Sequence, residues 1–313
     1  FTQLRELNLA SSSLTLTDEI LLVQLSQMSQ LLRLKLASNN LSQKSRFAAF
    51  LPDLVQLQDL DLTRNSLPNE AAAHLALQLP ALTQLRKLIL DDCNLTTSGL
   101  ASLAPLLPVS LSTLDLATNP IGDLGCLALA EALPRLPDLS ELILSSCGIT
   151  AKGVAHLVNG LMTLTQLSVL ELNDNLLGND SAPYLCDSIR GAAKLTVLSL
   201  VRCNLSDGLV PILDMLPDLP NIEHLRLSWN QFTPAVLQKL TQIILLMPTL
   251  RYLSIYSVPQ DPELIAALLK SVLLLHVSGI ESILNPMLRR NAKRGETLQF
   301  LATKQPEVNW VGD

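Results

Sequence analysis

Four histidines, five cysteines and a scatter of carboxylates are the residues of this 313-residue chain that chemistry would use. General acid–base or nucleophilic catalysis needs a histidine within reach of an activated partner. His224 stands beside Glu223, Arg226 and Trp229, but nothing in the pattern pairs a Ser or Cys nucleophile with it. His74 and His156 each fall seventeen residues after the first leucine of a recurring unit, where other units put Ser102, Ala128 or Tyr184. A slot that accepts such different side chains reads as tolerated surface. His276 ends a long apolar run, where it would sit at a helix C-terminus. No H-E-x-x-H, P-loop, G-x-S-x-G or EF-hand loop occurs. The chain is therefore expected to be no enzyme, with no catalytic residue, no metal ligand and no cofactor.

The carboxylates Asp59, Asp61, Asp91, Asp92, Asp115, Glu141, Glu171 and Asp174 are spread over many units rather than grouped at ligand spacing. They make either a solvated acidic lining or a docking surface for a basic partner. Cys93, Cys147 and Cys203 share one position of the unit, which other units fill with Asn65, Asn119, Asn175 and Asn230. Cys126 and Cys186 fall in the second half of their units, where others place Leu, Val or Ala. With no C-x-x-C and no cysteine-rich end, the thiols read as buried and structural, in a reducing compartment.

The unit that positions all of these is L-x-x-L-x-L-x-x-(N/C)-x-L. It begins at Leu4, Leu31, Leu57, Leu85, Leu111, Leu139, Leu167, Leu195, Ile222 and Leu250, with starts 26 to 28 residues apart. In "LSELILSSCGI", Leu139, Leu142 and Leu144 point inward from a short strand while the residues between them point out. The following "TAKGVAHLVNGLMTLTQ" has the apolar spacing of a helix and its return loop. Thr17, Ser98, Asp123, Thr150 and Asp207 are the expected helix caps. Gly99, Gly125, Gly153 and Gly208 are expected to let helix approach sheet closely.

A period of 26 to 28, Asn and Cys alternating at the ninth position, and a helix in each second half resemble the ribonuclease-inhibitor type of leucine-rich repeat over about residues 4 to 277. The resemblance implies an α/β solenoid: ten strand–helix repeats forming a horseshoe, a parallel sheet on the concave side and helices on the convex side. Ten strands would line roughly 45 Å of the inner face. Residues 1–277 are expected to form this solenoid and residues 278–313 a C-terminal helical cap, because the pattern decays at Val258 and Pro259 and helical segments follow. The basic cluster Arg289, Arg290, Lys293 and Arg294 reads as a solvated face of that cap.

The class this chain resembles includes cytosolic inhibitors, ligand-sensing ends of innate immune receptors, a GTPase-activating protein for Ran, and effectors that intracellular bacteria inject into host cells. A repeat fold of this kind is first a binding surface, and fold alone does not name the partner. The expected function is a non-catalytic protein-binding module, monomeric, using its concave face. The alternatives are a GTPase regulator, the sensing end of a larger receptor and a bacterial effector. A net charge of −6 and a pI near 5.3 favour neither nucleic acid nor an anionic membrane. The longest apolar run, Leu264 to Val277, is too short to span a bilayer. Phe1 opens inside a strand motif, so the natural N-terminus is expected upstream. A cytoplasmic location follows from the thiols, or the host cytosol for an effector.

The outward strand positions carry the partner-binding candidates. Asp61, Asp115, Glu141 and Glu171 mark the acidic middle. Arg202, His224, Arg226, Trp229, Arg251, Tyr252 and Tyr256 cluster in the last repeats, and three of the chain's five Trp and Tyr residues are among them. Aromatics with arginine are what interfaces use, since they bury much area with few rotors. Packing beneath the cap is the competing reading for the aromatics.

Overall fold

The computed structural model describes residues 3–14, 19–39, 41 and 48–255. Ten strands of three residues each form one parallel sheet in chain order: β1 Glu6–Asn8, β2 Arg33–Lys35, β3 Asp59–Asp61, β4 Lys87–Ile89, β5 Thr113–Asp115, β6 Glu141–Ile143, β7 Val169–Glu171, β8 Val197–Ser199, β9 His224–Arg226 and β10 Tyr252–Ser254. Each strand pairs with the next at equivalent positions, as in Asp115↔Ile143 and Ser199↔Arg226. The array is a leucine-rich-repeat solenoid, as the sequence pattern implied.

The central residue of each strand is the leucine that fixes the register. Leu34, Leu60, Leu88, Leu114, Leu142, Leu170, Leu198 and Leu225 are all fully buried. Each contributes about 2 kcal/mol of transfer free energy. Slipping a strand by one residue would send that leucine to the open face and an outward polar group inside.

Behind the sheet run α1 Glu19–Ser26, α2 Asn69–Gln78, α3 Thr97–Leu103, α4 Gly122–Ala132, α5 Ala151–Leu161, α6 Ala182–Ile189, α7 Leu209–Met215 and α8 Pro234–Ile244. Four of them stop at a proline. Pro80, Pro105, Pro134 and Pro217 lie in the tight 3-10 turns that follow α2, α3, α4 and α7. Lacking an N–H, proline cannot extend the α-helical ladder, so the chain tightens and returns to the sheet.

The shared Asn/Cys slot is the hinge between strand and helix. Asn119 is fully buried. Its Nδ2 donates to the carbonyls of Leu90 (2.7 Å), Leu116 (2.9 Å) and Ala117 (2.8 Å), and its Oδ1 accepts from the N–H groups of Cys93 (3.1 Å) and Leu95 (2.8 Å). Asn175 and Asn230 repeat this arrangement. A thiol cannot do as much. Cys147 Sγ donates to Leu116 O at 3.2 Å, and the turn of the preceding repeat bonds instead to the Cys147 main-chain oxygen, through Gly122 N.

The residue before that slot takes a left-handed backbone in repeat after repeat: Arg64, Asp92, Thr118, Ser146, Asp174, Arg202 and Trp229 have φ between 52° and 63°. The strand ends in this bend, so side chains at the position leave the strand face and line its edge.

Two expectations change. Thr150 caps α5 as expected, accepting from Lys152 N, but Ser98, Asp123 and Asp207 do not cap their own helices. The Asp123 carboxylate instead accepts from the N–H (2.8 Å) and hydroxyl (2.7 Å) of Thr150 in the next repeat, and Asp207 accepts from Thr233 Oγ1 at 2.6 Å. Asp123 sits just inside α4 and Asp207 just before α7, and from there each reaches the neighbouring unit. Of the recurring glycines, Gly153 and Gly208 make room for a neighbouring repeat, whereas Gly99 and Gly125 are crowded first by Leu95 and Ile121 of their own units. A Cβ on Gly153 would lie 2.5 Å from Asp123 Oδ1, and one on Gly208 would lie 2.7 Å from Asn179 Cα. Thr17, the boundary at 277, the cap over 278–313, His276 and the basic cluster lie outside the described residues.

Candidate interaction face

Two rows of outward side chains run across the ten strands, one from each strand's first residue and one from its third. Sequence reasoning placed Asp61, Asp115, Glu141, Glu171, His224, Arg226 and Tyr252 on this face, and each occupies an outward strand position. Arg251 immediately precedes β10. Arg202 and Trp229 are corrected: they sit at the left-handed bends after β8 and β9, on the edge of the face rather than on it. Tyr256 lies outside the described residues.

The middle of the face is mostly acidic, with Lys35 and Lys87 standing in the same outward rows beside Asp61 and Asp59. Among the described residues, no basic group comes within ion-pair distance of Asp61, Asp91, Asp115 or Glu141. Burial holds the Asp115 carboxyl above its ordinary range; Ala117 N–H opposes that, Asp91 and Glu171 add to it, and Lys87 works against it. Asp91 Oδ1 and Ser145 Oγ are buried without a hydrogen-bond partner among the described residues. Ile89 and Ile143 stand between the acids in the same row, flanking Asp115. No group of three His, Cys, Asp or Glu comes together as potential metal ligands among the described residues.

The C-terminal part of the face is built differently. Arg226 Nη1 lies 2.9 Å from Glu171 Oε1, and its guanidinium carbon stands over the Tyr252 ring, 5.8 Å from the centroid. Arg202 Nη1 meets Asp174 Oδ1 at 2.8 Å and covers Trp229, 5.6 Å from its ring centroid. The His224 and Tyr252 rings lie 5.7 Å apart. Arg251 faces Glu223 at 3.6 Å. Trp229 remains 55% exposed, so these contacts fix it without burying it.

Sequence reasoning missed the pairing of these arginines and also missed the first strands, where Arg33 bridges Glu6 and Asp59. The signal was available: opposite charges stand at equivalent positions of units one or two repeats apart. The thiols are as expected. Cys93, Cys126, Cys147, Cys186 and Cys203 are all buried and unpaired. Burial pushes Cys93, Cys147 and Cys203 up from 9.0 to about 12, against a partly opposing N–H group from Asn65, Asn119 and Asn175 respectively. No helix among the described residues is long and apolar enough to cross a membrane.

A family model described as Leucine Rich repeat matches residues 81–104, 109–130, 135–158 and 218–240. Over 216 residues the chain is 32% identical to NACHT, LRR and PYD domains-containing protein 13 of Homo sapiens, an alignment covering 66% of this chain and 20% of that protein. Over 197 residues it is 30% identical to the ribonuclease inhibitor of Sus scrofa, covering 60% of this chain and 42% of the inhibitor. The chain thus spans less than half the length of either relative. The crystal structure of internalin C2 from Listeria monocytogenes superposes with a TM-score of 0.50 at 23% identity, over 75% of this chain and 83% of that one, a likeness of fold alone.

Proposed function

We propose that this chain, a leucine-rich-repeat protein of the ribonuclease-inhibitor type, is a non-catalytic module that holds a protein partner against its strand-lined concave face. The observation that carries the reading is the excess of acid on the central strands. Asp61, Asp115 and Glu141 project from β3, β5 and β6, and among the described residues no basic group closes to ion-pair distance on them, although Lys35 and Lys87 stand on β2 and β4. Such a surface raises the encounter rate of a basic partner and selects against acidic ones. The apolar Ile89 and Ile143 beside them supply area that charge alone does not.

The test is capture from cytosolic lysate by the wild-type chain and by a variant carrying Asp61→Lys, Asp115→Lys and Glu141→Lys. A partner held by the first and lost by the second, at equal melting temperature, supports the reading. Equal capture by both moves the binding surface elsewhere.

A second reading has one observation in its favour. The NACHT, LRR and PYD relative is, by its name, a protein of several domains, and this chain matches only 20% of it. On that reading the module is the sensing end of a larger receptor. Sequence upstream of Phe1 encoding a nucleotide-binding domain would support it. A GTPase turnover assay addresses regulation of a GTPase, for which no side chain here has an assigned role.

A further inference from the structure

The arginines at the C-terminal end of the face look at first like charges offered to an acidic partner. Their surroundings say otherwise. Arg202 is held by Asp174, Arg226 by Glu171 and Arg251 by Glu223, so three guanidinium groups face three carboxylates of the same chain. An acidic partner would have to break one of these pairs to gain its own. A basic partner would compete with Arg202 and Arg226 for the carboxylates and ring faces they already hold. What is left most exposed is aromatic: Trp229, 55% exposed at the edge of the face with Arg202 fixed over its ring, while Arg226 stands over Tyr252 on the strand row.

Trp229 also stands where a bulky side chain is disfavoured. Its φ of 63° is in the left-handed region, and the equivalent bends carry Arg64, Asp92, Thr118, Ser146, Asp174 and Arg202, none of them aromatic. The short polar residues among these are the types that enter this region most readily. Nothing in the fold of the unit asks for an indole there.

We propose that Arg202 is a positioning residue, which holds Trp229 as an electrically compensated aromatic platform at the edge of the face, and that this platform docks an uncharged apolar side chain of the protein partner. The proposal rests on the protein-binding reading above and names what this end of the face recognises. The acidic middle and the aromatic end then select different features of one partner: the first works through charge at a distance, the second through contact area.

The test uses a displayed library of random peptides as the probe, panned on the full chain. The expected result is enrichment of uncharged peptides bearing aromatic or aliphatic residues, with affinity nearly the same in low and high salt. Trp229→Asn should weaken those peptides by about tenfold or more, as truncated interface aromatics do. Trp229→Phe, which keeps a ring, should retain most of the binding. Melting curves identify any variant that has simply unfolded. In a Trp310→Phe background, which leaves Trp229 as the chain's one tryptophan, Asp174→Asn should increase quenching of its fluorescence by iodide relative to caesium, because Arg202 loses its counter-ion. The same change made in an Arg202→Gln background should move that ratio much less; an equal rise in both backgrounds would reflect the lost carboxylate alone and would overturn the positioning assignment. Enrichment of acidic peptides whose affinity collapses in high salt, affinity unaltered by Trp229→Asn, or no enrichment at all would overturn the platform. The wider binding reading falls only if the triple charge reversal also leaves lysate capture unchanged.

Discussion

Arg226 reaches across an entire strand to Glu171: the two are 55 residues apart in sequence, on β9 and β7, and their Nη1 and Oε1 atoms lie 2.9 Å apart. Only a small residue on the intervening strand permits this, and there Ser199 is fully buried and donates its hydroxyl to Asn173. The pair closes the acidic row on one side and orders Tyr252 on the other. A double-mutant cycle of Glu171→Gln and Arg226→Met should give a coupling of about 0.5–1 kcal/mol that shrinks with added salt, since both side chains retain solvent contact. Zero coupling in low salt would mean that Arg226 is free to meet a partner.

The Asn/Cys slot predicts an order of stabilities. Asn119→Leu leaves two N–H groups and three carbonyls of two repeats without their buried partner, and should cost about 3 kcal/mol or more. Cys147→Ala removes a weak thiol donor and a small volume, and should cost roughly 1–2 kcal/mol. Chemical denaturation of the two variants checks the order, and equal costs would mean that the amide's network is not the hinge.

Thiol ionisation makes the fold sensitive to base. Burial favours the protonated form of Cys93, Cys147 and Cys203 and raises each from 9.0 to about 12. The folded chain therefore keeps protons that the unfolded chain releases above pH 9.0, and stability falls as pH rises from there toward 12. The loss is up to about 4 kcal/mol per thiol at the top of the window. A chain with all three changed to Ala should lose less stability across that window than the wild type. The same burial predicts slow labelling by a thiol reagent in the folded state and fast labelling in denaturant.

Capping between repeats is testable at one carboxylate. Asp123→Ala removes the acceptor of both the N–H and the hydroxyl of Thr150 and should cost about 1–2 kcal/mol. Asp123→Asn keeps one acceptor oxygen and should recover roughly half of that. A loss of helix capping confined to α4, with α5 unaffected in hydrogen exchange, would place the role of Asp123 in its own helix instead.

The solenoid was legible because its determinant is periodic. A leucine at each strand centre has only one side it can occupy without exposing itself, so ten starts in the sequence become ten strands in order. The Asn/Cys slot was legible for the same reason. Asp123 was not: its partner Thr150 is 27 residues away, and nothing within its own unit signals that the carboxylate turns outward to the next. The site was half legible. Strand alternation put Asp115, His224 and Tyr252 on the open face, but alternation ends at the left-handed bend, so Arg202 and Trp229 were misplaced by one element. The compensation of Arg202 and Arg226 was legible only by comparing equivalent positions of units one or two repeats apart, not from position within one unit.

Trp229 gives the sharpest separation of binding from stability. Most residues that make an interface also stabilise the free protein, so their loss confuses the two effects. Here the backbone sets them in opposition. An L-residue with a bulky side chain in the left-handed region costs about 1–2 kcal/mol, and asparagine enters that region with less penalty because its short amide bonds locally. Trp229→Asn should therefore hold the melting temperature or raise it, even though it removes the ring that Arg202 covers at 5.6 Å. That cation–ring contact is worth only about 0.5–1 kcal/mol at an exposed site, too little to reverse the sign. Packing of the indole beneath a C-terminal cap predicts the contrary: a drop of about 3 kcal/mol or more, as for a buried large aromatic. Thermal unfolding of the single variant decides between them, and a large drop would return Trp229 to the core.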